Sequence, residues 1–149
     1  MTAKVFVDSN ILIYAHDRDA GAKNRRAATH LMALWERGAG CLSTQVLEEF
    51  YVNVTRKIGH PLSGSAAREV IRNYALWDTS PITVVTVIRA SEISETWRLS
   101  FWDGMVVASA EQNRAAELLT EDLSHGQIIA GVKILNPFIE DRPARRGSP

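Results

Sequence analysis

A single cysteine, Cys41, excludes an intrachain disulfide and any thiolate-rich metal site. It sits in Gly40-Cys-Leu-Ser43, where the expected role is that of a small buried hydrophobe. No apolar run approaches the roughly 20 residues of a membrane span, and the opening Met-Thr-Ala-Lys carries no signal-peptide pattern. A cytoplasmic location without a membrane partner is therefore expected. Net charge is also missing, since 17 Lys and Arg balance 17 Asp and Glu. That removes a global cationic field but leaves room for a local basic stripe. The glycine-rich loops that cradle nucleotides are absent, as is the Gly-x-Ser-x-Gly elbow of a serine hydrolase. His16, His30, His60 and His125 show no metal-ligand spacing. An Asp-x-Asp phosphatase nucleophile fails because residue 10 is Asn. A receiver-like phosphoacceptor would need an early acidic cluster, and Asp8 stands alone.

What is present reads as one soluble domain over residues 1–138, followed by a flexible, Pro-rich and charged tail at 139–149. Strands are expected at 4–8, around Cys41, and at 82–85, 117–120 and 132–135. Helices are expected at 10–16, 25–37, 44–58, from Ser63 or Ser65 to about Trp77, and at 86–99 and 101–114. In the 25–37 helix, Ala28, Leu31, Leu34 and Trp35 share one face. Core packing is the default role for Trp35, Trp77, Trp97 and Trp102. Alternating helices and strands imply an α/β fold with a central, mostly parallel sheet flanked by helices in three layers.

Four acids punctuate this pattern. Asp8 follows Val5-Phe-Val, Glu49 lies in Val46-Leu-Glu-Glu-Phe50, Asp103 follows Ser100-Phe-Trp, and Asp122 follows Leu119-Thr-Glu. Asp8 and Asp122 fall at strand ends, where open α/β sheets bind ligands. Asp103 opens one helix, and Glu49 lies in the first turns of another. Carboxylates gathered at such a rim repel one another unless a hard divalent cation such as Mg²⁺ joins them through oxygen ligands. Each has a plainer reading beside this one. Asp8 is also a helix N-cap, Ser100-x-x-Asp103 a capping box, and Asp122 an Asx-turn residue. Glu48 competes with Glu49, but Glu49 aligns with Asn53 and Arg56 in a polar stripe. If the substrate is a phosphate ester, Asn53, Arg56 and Lys57 are the first candidates for contact with it; Arg18 and Arg25-Arg26 come second.

Taken in order, these motifs resemble the PIN-domain ribonucleases, and among them the toxin half of VapBC-type bacterial toxin–antitoxin pairs, over roughly residues 4–138. The resemblance implies a PIN fold, Mg²⁺ or Mn²⁺ held by Asp8, Glu49, Asp103 and Asp122, and Ser9, Asn10 and Thr120 lining the site. It also implies an RNA substrate, a homodimer and a cognate antitoxin. The Arg/Pro-rich tail is a departure that the family pattern does not explain. The alternative expectation is a non-catalytic domain of PIN-like fold that binds nucleic acid or protein.

Overall fold

The computed structural model describes residues 3–139. The elements run β1 (Val5–Val7), α1 (Ser9–His16), α2 (Ala22–Arg37), β2 (Gly40–Ser43), α3 (Thr44–Arg56), α4 (Gly64–Tyr74), β3 (Asp78–Ser80), α5 (Val84–Trp97), α6 (Phe101–Gln112), β4 (Glu117–Leu119), β5 (Ile128–Ile129) and β6 (Val132–Leu135). Six strands form one sheet in the order β3-β2-β1-β4-β6-β5. Every pairing is parallel except β5 with β6. With helices on the sheet, this is the expected three-layer α/β arrangement.

The chain leaves β1 toward β2 on one side and later returns to β4 on the other. β1 and β4 therefore flank a switch in strand order, the place where a crevice opens beyond the strands' carboxyl ends. Val5, Phe6 and Val7 are all buried, as expected of a central parallel strand covered on both faces. In α6, residues 104–110 are buried without interruption because the helix lies on the sheet and beneath α5. Gly104 permits that approach: a Cβ there would stand 2.6 Å from the Ala90 carbonyl oxygen of α5. Asp103 thus comes from a helix whose position is fixed on both sides.

Several expectations need correction. The strand at 82–85 is instead β3, at Asp78–Ser80, while Val84 and Val85 open α5. Thr83 caps that helix, its hydroxyl accepting the Thr86 N–H while the Thr86 hydroxyl accepts the Thr83 N–H. This reciprocal cap outweighs the weak strand preference of a β-branched run. Strand β5 was not expected. It joins β6 through Ala130 and Gly131, both at positive φ (49° and 81°), the geometry of a tight hairpin turn. Ala at such a position gives little sequence signal.

α2 begins at Ala22 rather than 25, and it buries Ala27, Leu31 and Leu34 while Ala28 is exposed. The remaining helix ends differ by a few residues, as fraying ends do: α3 stops at Arg56, α4 at Tyr74 and α6 at Gln112. Of the four tryptophans only Trp77 is buried, and Trp102 is 66% exposed. Trp35 still stacks at 4.8 Å on Trp77, at the edge of an aromatic cluster with Tyr74. Cys41 is fully buried, and that burial pushes its thiol up to about 12, so it is an inert hydrophobe. Among the described residues no helix is long and apolar enough to cross a membrane. The expected tail, apart from Ile139, lies outside the described residues.

Candidate active site at the carboxyl ends of β1 and β4

Asp8 ends β1, and its N–H donates to the Leu119 carbonyl of β4 at 3.0 Å, which ties the two strand ends together. The Asp8 carboxylate then faces both ways. Oδ1 accepts the Ser9 N–H at 2.7 Å, capping α1, and Oδ2 accepts the Thr120 hydroxyl at 2.8 Å. The N-cap reading is realised, and the second oxygen of the same side chain turns toward β4.

Ser9 and Asn10, in the first turn of α1, carry the contact outward. The Ser9 hydroxyl donates to Glu49 Oε2 at 2.7 Å. The same hydroxyl is 3.5 Å from Asp8 Oδ1, but it has one proton to give, and the shorter bond takes it. Asn10 donates through Nδ2 to Asp122 Oδ2 at 3.0 Å. Thr120 is fully buried, and besides donating to Asp8 it accepts the Asp122 N–H at 3.2 Å. The turn at Asp122 is therefore made by the Thr120 side chain, not by an Asx turn of Asp122. Three acids from β1, α3 and the segment after β4 are linked through Ser9, Asn10 and Thr120.

Asp103 joins them through its field, since its negative charge helps to raise the Asp122 carboxyl. Ser100 caps α6 by accepting the Asp103 N–H at 3.1 Å. The reciprocal half of a capping box, present in α5, is not formed here among the described residues. The Asp103 carboxylate is thereby left uncommitted.

The acids strain one another. Asp8 is 5% exposed, and its carboxyl is pushed up to about 7. Loss of solvent is the main cause; the Thr120 and Ser9 bonds oppose it, and the charges of Asp122 and Glu49 add to it. Asp122 is raised as well, by desolvation first and then by Asp103 and Glu121. Two further atoms fit a cation. Among the described residues, Asn10 Oδ1 and Gln45 Oε1 are buried acceptors without a hydrogen-bond partner. An all-oxygen donor set, a buried strained carboxylate and an orphaned acceptor on Asn10 suit a hard divalent ion. Among the described residues no three His, Cys, Asp or Glu side chains already converge as a closed ligand set.

The pattern of this chain matches the PIN-domain family over residues 5–128. The chain belongs to the PIN-domain family. No match was found among curated protein sequences. Several solved structures share the PIN fold. A toxin–antitoxin complex from Klebsiella pneumoniae superposes with a TM-score of 0.64 at 20% identity, covering 91% of this chain and 98% of that one. VapC20 of Mycobacterium tuberculosis, a sarcin–ricin-loop-cleaving toxin, gives 0.57 at 20% identity over 77% and 87%. DNA-bound VapBC from Salmonella typhimurium gives 0.61 at 16% identity over 89% and 97%.

Within this PIN domain the remaining candidates divide. Glu49 is half-buried and bonded, whereas Glu48 is exposed. Asn53 does not face a cleft with a free amide: its Nδ2 donates to the Glu49 backbone carbonyl at 2.8 Å. Arg56 and Lys57 are exposed at the end of α3, with Arg56 about 10 Å along the helix axis from Glu49 at ~1.5 Å per residue. Sequence reasoning missed Gln45, whose Nε2 donates to Glu49 Oε1 at 2.8 Å. Its place four residues before Glu49 was the available signal. It also missed Tyr14 and Lys23, which hold Glu121 by bonds of 2.6 and 2.8 Å and so keep a fifth acid occupied beside Asp122.

Proposed function

We propose that this PIN domain is a divalent-metal-dependent endoribonuclease and the toxin component of a toxin–antitoxin pair. The observation that carries the reading is the linkage of Asp8, Glu49 and Asp122 through Ser9, Asn10 and Thr120, with Asp103 within their field. The likeness of the fold to a toxin–antitoxin complex and to an RNA-cleaving toxin supports the same reading.

Asp8, Glu49, Asp103 and Asp122 would hold Mg²⁺ or Mn²⁺, with Asn10 Oδ1 available beside them. Such an ion supplies charge neutralisation and water activation for in-line attack on a phosphodiester. The chain's own groups set up that chemistry. Thr120 and the Ser9 N–H fix both oxygens of Asp8, so the carboxylate keeps one orientation. Ser9 and Gln45 each take one oxygen of Glu49 and hold it toward the β1 end. Asn10 restrains Asp122 on the opposite side. A scissile phosphate would sit between these acids, in the crevice between β1 and β4.

The expected partners are RNA as substrate, a cognate antitoxin and a second copy of the chain, in the cytoplasm. For the homodimer, α5 presents Val84, Val85 and Ile88 at 74%, 75% and 57% exposure, an apolar ridge of the kind that marks an interface. Beside it runs a groove lined by Val85, Ile88, Ala108 and the Arg89–Glu111 ion pair. Ridge and groove on one face allow the self-complementary contact a twofold dimer requires.

The test is cleavage of a mixed RNA pool by wild type, Asp8→Asn and Asp103→Asn protein in Mg²⁺, Mn²⁺ or EDTA. Metal-dependent cleavage by wild type alone is expected, with circular dichroism unchanged in the variants. Equal cleavage by all three proteins would remove these acids from the site.

A further inference from the structure

Lys23, Arg26, His30 and Arg37 follow one another on α2 at spacings of three, four and seven residues. That spacing sets them along one flank of the face buried by Ala27, Leu31 and Leu34. The flank borders two adjoining concavities. One, of about 370 Å³, is lined by Arg25, Arg26, Thr29, His30, Pro137 and Ile139. The other, of about 210 Å³, shares His30, Pro137 and Ile139 and reaches Arg37, His125 and Asn136. Among the described residues, three guanidinium groups and two imidazoles line the pair, against one carboxylate, that of Glu117. In a chain of zero net charge this is a concentrated basic groove.

A chain of contacts links the groove to the acidic site. Arg26 Nη1 donates to the Pro137 carbonyl at 3.4 Å, and the next residue, Phe138, meets the Tyr14 ring edge-on at 5.2 Å. Lys23 Nζ lies over both rings and pairs with Glu121, the neighbour of Asp122. From Lys23 to Arg37 the helix covers about 21 Å at ~1.5 Å per residue. Arg56 and Lys57, favoured by sequence, line neither concavity.

Resting on the ribonuclease reading above, we propose that this α2 groove is an exosite that holds a single-stranded stretch of the RNA substrate beside the acidic site. The Arg25 and Arg37 guanidinium groups take the phosphates. The exposed apolar side chains of Ala33 and Ile139 pack unpaired bases, while the imidazoles and Asn136 offer hydrogen bonds to them. A paired strand has no bases free for such walls, so duplex RNA fits the groove poorly.

The experiment is fluorescence anisotropy with a labelled single-stranded RNA that wild type cleaves, in the Asp8→Asn background with Mg²⁺ present. The groove pair Arg25→Ala/Arg37→Ala is compared with the helix-end pair Arg56→Ala/Lys57→Ala, and folding is followed by circular dichroism. The groove pair should weaken binding about tenfold and reduce the slope of log affinity against log salt by about 1.4, two phosphate contacts at ~0.7 each. The helix-end pair should bind as the parent does, and the same RNA annealed into a duplex should bind more weakly. Unchanged affinity in the groove pair overturns the exosite, as does duplex binding equal to that of the single strand. A groove pair that keeps RNA but loses a protein partner also overturns it, by making the surface a protein site. Wild type that neither binds nor cleaves RNA sinks the ribonuclease reading itself, whereas cleavage by wild type with an unaffected groove pair sinks the exosite alone.

Discussion

Replacing Asp8 by Asn should make the metal-free protein more stable, although it removes the acid on which activity is expected to depend. Burial raises the folded-state carboxyl from 3.8 to about 7. An acid raised on folding binds its proton more tightly in the native state. Below about pH 4 both states are protonated and Asp8 costs nothing. As pH rises from about 4 to 7 the unfolded chain releases the proton first, so stability falls, and above about 7 the full cost is present. A shift of about 3 units at ~1.4 kcal/mol each sets an upper value of about 4 kcal/mol. Asn fills the same space: Oδ1 can still accept the Ser9 N–H and Nδ2 can donate to Thr120 Oγ1. The buried Thr120 hydroxyl loses its acceptor, however, which offsets about 1–3 kcal/mol of the gain. For a domain of this size about 2–4 °C of melting temperature accompanies each kcal/mol. Asp8→Asn should then melt several degrees above wild type at pH 8 in EDTA, with the gap closing toward pH 4. Mn²⁺ should reverse the order by stabilising wild type through mass action and the variant far less. Scanning calorimetry at both pH values reads this directly. An Asp8→Asn protein less stable than wild type at pH 8 in EDTA would refute the account of a strained, buried carboxylate.

Other substitutions probe the supports of the site. Gln45→Leu removes the 2.8 Å bond to Glu49, and metal-dependent cleavage should fall roughly tenfold, the lower end for loss of a ligand-orienting partner; unchanged kinetics would free Glu49 from that restraint. Gly104→Ala puts a methyl 2.6 Å from the Ala90 carbonyl and should destabilise by about 1–3 kcal/mol in urea unfolding, with a larger loss of cleavage because Asp103 is the adjacent residue. A stability equal to wild type would mean that α5 and α6 separate at little cost. Val85→Glu/Ile88→Glu should convert a dimer to a monomer in light scattering while the far-ultraviolet spectrum stays the same; a dimer that persists would move the interface elsewhere.

The strands beside the site were legible because their pattern is local. Val5-Phe-Val is a buried run ended by Asp8, and Leu118-Leu119 is a shorter one ended by Thr120, so the sequence alone placed acids at or just past two strand ends. The Ser100 cap and the apolar spacing of α3 likewise located Asp103 and Glu49 on helices. Where two local preferences competed, the reading failed: β-branched Ile82–Val85 resembles a strand, and only the Thr83–Thr86 cap and the pairing of β3 with β2 turn Val84 and Val85 into helix. Ala130-Gly131 hid a hairpin that its pairing with β6 makes affordable.

What the sequence determined, then, was most of the order of elements and which elements carry the candidate acids, because helical and strand periods and caps act over a few residues. The tertiary structure decided which atoms meet: that Ser9 rather than Asp8 reaches Glu49, that Asn10 holds Asp122 across 112 positions of chain, and that Lys23 and Tyr14 occupy Glu121. It also gathered Arg25, Arg26, His30, Arg37 and His125 into one groove in a chain with no net charge. Such contacts depend on the strand order and on which helix flank turns toward the sheet, and those follow from packing the whole core at once.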